Sequence, residues 1–252
     1  MTRFELSKWY LDVVTEDGRL AILYLVRLRL GAVAIHAQGL LQTGPGGQGV
    51  RTRWSALPAR APRHSGTGFR VACLGLGARV HSQSLAPAFE ATLWSGPDGS
   101  VTWRCLAPRA ETELVVAGET WRGLGYVEQL QMTVPPWRLP IRQLRWGRLL
   151  SPRGGIVWID WRGPVPLRLA LSDGIPVSAS VVGDRGLRIG RTPHRLRRVA
   201  TLRDAPLGRT LPGLVRRCLP RNGLALRETK WLSRGQVGGA PGFAIHEVVT
   251  WP

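Results

Sequence analysis

The sequence predicts an antiparallel all-β protein, built as two barrel-like or sandwich lobes with very little helix. Three observations carry this. Asp-Gly turn signals repeatedly separate β-rich runs, residues within several runs alternate apolar and polar, and proline or glycine punctuates nearly every interval. Many short strands at that spacing fit sandwiches or barrels better than a βαβ sheet.

In chain order, Trp9 to Val14 and Leu20 to Leu30 flank Glu16-Asp17-Gly18, a strong hairpin signal. Leu28 and Leu30 alternate with Arg27 and Arg29, the period of a half-buried strand. A further run covers Ala32 to Leu41, and Gly44 to Gly49 reads as a flexible loop. Phe89 to Trp94 and Val101 to Leu106 form a second hairpin around Gly96-Pro97-Asp98-Gly99. A third joins Leu167 to Leu171 with Ile175 to Val182 around Asp173-Gly174. Strands are also expected at Glu113 to Ala117, Gly125 to Val134, Ile141 to Leu150, Ile156 to Trp161, Leu224 to Leu232 and Phe243 to Trp251. Leu211 to Leu219 is the one helical candidate. Pro135-Pro136-Trp137 marks the expected seam between lobes spanning 1–135 and 136–252.

Composition bounds the function. Hydrophobic residues make up 44% of 252 residues, enough for a proper core. No apolar run approaches the ~20 residues of a membrane span, since Arg27 and Arg29 break the best one. Met1 to Lys8 carries Glu5 and lacks a signal-peptide pattern, so a cytoplasmic protein is expected. Cys73, Cys105 and Cys218 are an odd, scattered set, which fits neither a disulfide framework nor zinc.

The net charge is +19, and only Lys8 and Lys230 among 35 basic residues are lysine. A GC-rich genome explains arginine in place of lysine, but not why acids number only 16. Arg185 to Arg227 concentrates the excess, with twelve arginines against Asp204. The expected fate of this stretch is a solvated face or peripheral contact with an anionic membrane. It contains no Phe, Tyr or Trp for base stacking, so nucleic acid is not the expected partner.

Chemistry is narrowed first by what is missing. No GxGxxG after a strand, no P-loop, no GxSxG elbow, no HExxH and no calcium loop occurs, so neither cofactor nor metal is expected. The five histidines show no close ligand spacing. In the middle of the chain, Tyr126, Glu128, Leu130 and Met132 share a strand face. Desolvation among such neighbours favours the protonated form of a carboxyl, which makes Glu128 a candidate proton donor with Tyr126 to orient it. Leu144, Trp146 and Arg148 share a face of the next segment, and an Arg148 partner would instead keep Glu128 ionised. Asp160, between Trp158 and Trp161, is the second candidate acid. Of eleven tryptophans, Trp121, Trp137, Trp146, Trp158 and Trp161 crowd this region. They suit the core between sheets, or the walls of an apolar pocket.

Gly125-Tyr126-Val127-Glu128 followed by Leu144-Arg145-Trp146-Gly147-Arg148 resembles the lipocalin-like (calycin) group that contains carotenoid 1,2-hydratases (hydroxyneurosporene synthases), tocopherol cyclases and fungal pericyclases. There a G-x-x-Y-x-D/E-type strand precedes a W-G-R strand. Trp9-Tyr10-Leu11-Asp12 and Gly242 to Glu247 are compatible with that pattern. The resemblance implies two β lobes, an apolar pocket near their junction and an isoprenoid-like or polyketide-like ligand. The hydratases show Asp-His or Asp-Gln followed by Trp-Gly where this chain reads Glu128-Gln129-Leu130-Gln131. The resemblance therefore carries the fold further than the reaction.

Two function classes remain at this level. One is a cofactor-independent lyase or isomerase, hydratase-like or cyclase-like, with Glu128, Tyr126 and Asp160 as catalytic candidates. Trp121, Trp146, Arg148, Trp158 and Trp161 would then contact the substrate, with Trp146 and Trp158 facing the cation. The other is a lipocalin-like carrier of a hydrophobic ligand. A basic module for nucleic acid or anionic membrane stands behind both.

Overall fold

The computed structural model describes residues 4–58, 60–210 and 213–252. It is nearly all antiparallel β, 68% strand and 8% helix, in several sheets, none of which closes into a barrel among the described residues. The chain forms two compact units, Met1–Pro135 and Pro136–Pro252.

The first unit is one ten-stranded sheet. Its strands are β1 (Phe4–Val14), β2 (Leu20–Leu30), β3 (Val33–Gln42), β4 (Arg51–Ser55), β5 (Arg63–Ser65), β6 (Gly68–Cys73), β7 (Ala78–Ser84), β8 (Phe89–Gly96), β9 (Gly99–Val116) and β10 (Glu119–Met132). They run in the order β4-β3-β2-β1-β10-β9-β7-β6-β5, with β8 on the free half of β9. The sheet curls around an apolar cluster that includes Leu11, Leu23, Leu40, Phe69, Leu114, Trp121 and Val127. The 3₁₀ turn Leu74–Leu76 reaches β3 and β4, bringing the two ends of the sheet together. Gly75 sits so close to Ser55 there that a Cβ would overlap its side chain.

Strand β9 changes partner partway. Its first half pairs β8 up to Cys105, and its second half pairs β7 from Ala110. Pro108, which has no N–H to give a ladder, lies in the gap. Opposite it the β10 register shifts, from Gly125↔Ala110 to Val127↔Ala107 to Glu128↔Cys105. These irregularities sit on either side of Tyr126 and next to Glu128.

The second unit holds β11 (Gln143–Ser151), β12 (Gly154–Arg162), β13 (Leu167–Ser172), β14 (Ile175–Val177), β15 (Ala179–Gly183), β16 (Gly186–Ile189), β17 (Thr192–Arg195), β18 (Arg197–Pro206), β19 (Arg227–Val237) and β20 (Ala240–Thr250). Helices α1 (Leu207–Thr210), α2 (Gly213–Cys218) and α3 (Arg221–Ala225) connect β18 to β19. A seven-stranded sheet, β14-β13-β12-β11-β20-β19-β18, packs against the three-stranded sheet β15-β16-β17. Leu149, Ile156, Trp158 and Ala244 meet Val182 and Leu187 in that core.

The three expected hairpins are present, at β1–β2, β8–β9 and β13–β14. Asp173 and Gly174 both adopt positive φ, 45° and 80°, as a type I′ turn requires. Several details differ from expectation. The run Ile175 to Val182 breaks at Ser178 and joins two different sheets. Leu224 to Leu232 begins as the end of α3 before β19 starts. The helix expected from Leu211 is seen as Gly213–Cys218, while Leu211 and Pro212 lie outside the described residues. Strands β4 to β7 and β16 to β18 had no sequence signal; they are rich in arginine and polar residues.

Candidate active site

Glu128 stands on β10 with Tyr126 two residues before it, on the face opposite the apolar cluster of the first unit. Both are buried, at 4% and 0% exposure. One carboxylate oxygen, Oε2, takes two donors: the Tyr126 hydroxyl at 2.8 Å and Trp103 Nε1 at 2.6 Å. Trp103 comes from β9, two ladder positions along from Glu128's own partner Cys105, and stands opposite Leu130. The Cys105 thiol bonds to the Tyr126 hydroxyl. Tyr10 of β1 meets Tyr126 edge-on with ring centroids 6.0 Å apart, and Tyr24 of β2 meets Tyr10 at 5.5 Å.

The chemistry follows from burial and from the two donors. Desolvation, then Cys105 and Glu128, push the Tyr126 hydroxyl well above the usual phenol range, so it remains a neutral donor. Desolvation likewise holds Cys105 as a thiol, with Tyr126 opposing and Glu128 adding to the shift. Cys105 is therefore no nucleophile at neutral pH. Gly125 is packed so closely that a Cβ would overlap the Asp12 carbonyl and the Thr112 side chain. That close approach locks β10 against β1 beside the site.

The other expected residues are distributed differently. Trp121 lies on the opposite face of β10 from Glu128, within the first unit's core, with Nε1 on Glu119 at 3.0 Å. Its substrate role is replaced by packing, because the period of two turns odd-numbered β10 residues inward. In the second unit, Leu144, Trp146 and Arg148 share a face of β11, and Trp161 pairs with Leu144 on that same face. Arg148 is fully buried and donates from Nη1 to the Phe243 carbonyl at 2.8 Å. Trp158 points the other way into the core, which removes it from a cation-facing role beside Trp146. Asp160 accepts from Arg162 Nε at 2.8 Å and from Arg168 Nε at 3.0 Å, one on each oxygen. It is an ion-pair residue of β12 with both oxygens engaged.

Sequence reasoning missed Trp103, whose link to Glu128 depends on the β9 irregularity. His246 lies on β20 with Nε2 2.9 Å from Ser233 Oγ, both buried. Its ring is 5.1 Å from Trp231 and 6.5 Å from Trp158. Burial, then Arg198 and Arg145 against an opposing Asp184, hold its pKa down to about 4, so it is neutral at pH 7. Ser233 is fully buried, so this pair has no surface to act on.

The space enclosed by Leu11, Leu23, Leu40, Val80 and Leu114 inside the curled sheet is about 10 Å³, room for one water at most. Among the described residues no group of three or more His, Cys, Asp or Glu could hold a metal ion. No helix there is long and apolar enough to cross a membrane.

No family model matches the sequence, and no curated protein matches it. Solved structures do share its fold. A protein assigned as AttH from Nitrosomonas europaea superposes with a TM-score of 0.61 at 9% identity, over 98% of this chain and 92% of that one. CghA with Sch210972 gives 0.55 at 12%, over 98% and 89%. Kievitone hydratase from Nectria haematococca gives 0.54 at 12%, over 97% and 88%. The likeness extends over nearly the whole of each chain and is a likeness of fold.

Proposed function

We propose that the protein is a cofactor-independent enzyme of the hydratase or cyclase kind, acting by proton donation on an apolar, isoprenoid-like substrate. The observation that carries this reading is the buried Glu128, whose carboxyl group accepts hydrogen bonds from Trp103 and Tyr126. The fold likeness to kievitone hydratase adds support. Glu128 transfers its carboxyl proton to one carbon of a double bond, and positive charge develops on the neighbouring carbon. Indole and phenol rings favour such a cation through their faces. Water then adds and returns a proton to the carboxylate, or an adjacent C–H returns it, giving hydration or isomerisation.

The test is deuterium incorporation from heavy water into isoprenoid and polyketide alkenes, for the parent and for Glu128→Gln. Glutamine keeps the shape but has no acidic proton. The parent should label its substrate, and the variant should bind it while labelling falls by about 10²–10⁴. Labelling by the variant at the parent rate would remove Glu128 from the chemistry. Tight binding with no labelling by the parent would return the carrier reading.

A further inference from the structure

The three-stranded sheet β15–β17 buries one face and leaves the other to solvent. Val182 and Leu187 stand opposite each other within the second unit's core. His194 continues that row, with Nδ1 3.1 Å from the Gln236 carbonyl oxygen. Alternation along the strands therefore puts the next row, Val181, Arg188 and Pro193, on the outer face. Arg195 joins that face opposite Gly186, which offers no side chain. Arg185 and Arg191 stand in the turns at either end of the sheet, and Arg197 opens the next strand.

From 185 to 197 there are five arginines and no acid, and all five are exposed. The neighbouring Asp184 is already taken by Arg145 and Arg198. Among the described residues no carboxylate pairs with any of the five; Arg188 donates only to the Arg191 carbonyl, at 3.3 Å. On the edge strand of this positive face, opposite Arg188, Val181 is 55% exposed. A polyanion would relieve the mutual repulsion, and the exposed aliphatic residues decide which. Valine and proline present no aromatic ring to stack on a base, whereas they partition readily into the acyl boundary beneath lipid phosphates.

We propose that the outer face of β15–β17 docks on an anionic lipid bilayer, with Arg185, Arg188, Arg191 and Arg195 against phosphates and Val181 at the acyl boundary. Co-sedimentation with phosphatidylcholine vesicles, with and without phosphatidylglycerol, tests it. The parent should bind the phosphatidylglycerol vesicles in a salt-sensitive way and ignore pure phosphatidylcholine. Reversing Arg188, Arg191 and Arg195 to Glu should weaken binding by about a hundredfold, at roughly fivefold per arginine removed. Val181→Ser should weaken it several-fold with no change of charge. The same three reversals at the exposed first-unit residues Arg51, Arg53 and Arg79 should cost less than about fivefold. Circular dichroism confirms that each variant folds. An equal loss from the Arg51, Arg53 and Arg79 reversals would reduce the effect to net charge and overturn the proposal. So would an unaffected Val181→Ser protein, or displacement of vesicles by a DNA fragment at equal phosphate concentration.

Discussion

Trp103 Nε1 donates to Glu128 Oε2 at 2.6 Å across β9 and β10, joining residues 25 apart in the chain. Removing the indole donor while keeping a ring, Trp103→Phe, takes one hydrogen bond from a buried carboxyl oxygen. The expected cost is about 1–3 kcal/mol of stability in urea unfolding, with a loss of turnover. In a double-mutant cycle with Glu128→Gln the two changes should add to less than their sum. Full additivity would show that the contact does not orient the acid.

The buried His246 predicts a pH dependence of stability. Its folded pKa of about 4 lies below the unfolded value of 6.5, so the unfolded chain binds the proton more readily between them. This contribution is complete above about pH 6.5 and is lost as pH falls toward 4, by up to roughly 3 kcal/mol. Depressed carboxylates such as Glu228 act below their own unfolded values, leaving the range from about 4.5 to 6.5 to histidine. His246→Gln should flatten the urea midpoint across that window. The same slope in both proteins would show that another group is responsible.

Lys230 is 3% exposed, with Nζ 3.1 Å from Glu228 and 2.6 Å from Glu247. Arg203 reaches the other oxygen of Glu228 at 2.8 Å. Burial raises the Glu228 pKa, but Lys230 and Arg203 more than offset it and hold the carboxyl well below the usual range. Lys230→Met strips one cation from two carboxylates and should cost about 3–5 kcal/mol in thermal or urea unfolding. Adding Glu228→Gln should recover part of that loss, and no recovery would place the cost in packing.

Gly125→Ala puts a methyl group against the Asp12 carbonyl and the Thr112 side chain. The expected cost is about 1–3 kcal/mol, because β1 and β10 must part locally. Since Tyr126 and Glu128 follow on the same strand, turnover should fall by more than the loss of folded protein explains. An unchanged specific activity in the folded fraction would show that the site tolerates the shift.

Much of the strand pattern is legible in the sequence because its causes are local. Asp17-Gly18, Asp98-Gly99 and Asp173-Gly174 place hairpins through turn geometry, and alternation alone puts Tyr126 beside Glu128 and Trp146 beside Arg148. Residues that meet through register are not legible in this way. Trp103 reaches Glu128 because β9 shifts by its irregularity around Pro108, and no periodicity encodes which residue of one strand faces which of another. Trp121 and Trp158 lie near the candidate acids in sequence, yet they turn into the cores of their units: Trp121 faces away from Glu128 on β10, and Trp158 pairs with Gly147, on the face away from Trp146. Asp160 looks like an acid between tryptophans until Arg162 and Arg168 close on its two oxygens. Local chemistry thus determined that this chain makes antiparallel strands and that Glu128 and Tyr126 share a face. The packing of distant strands decided which indole holds the carboxylate and which tryptophans are core, because desolvation and hydrogen bonding depend on what comes together in space.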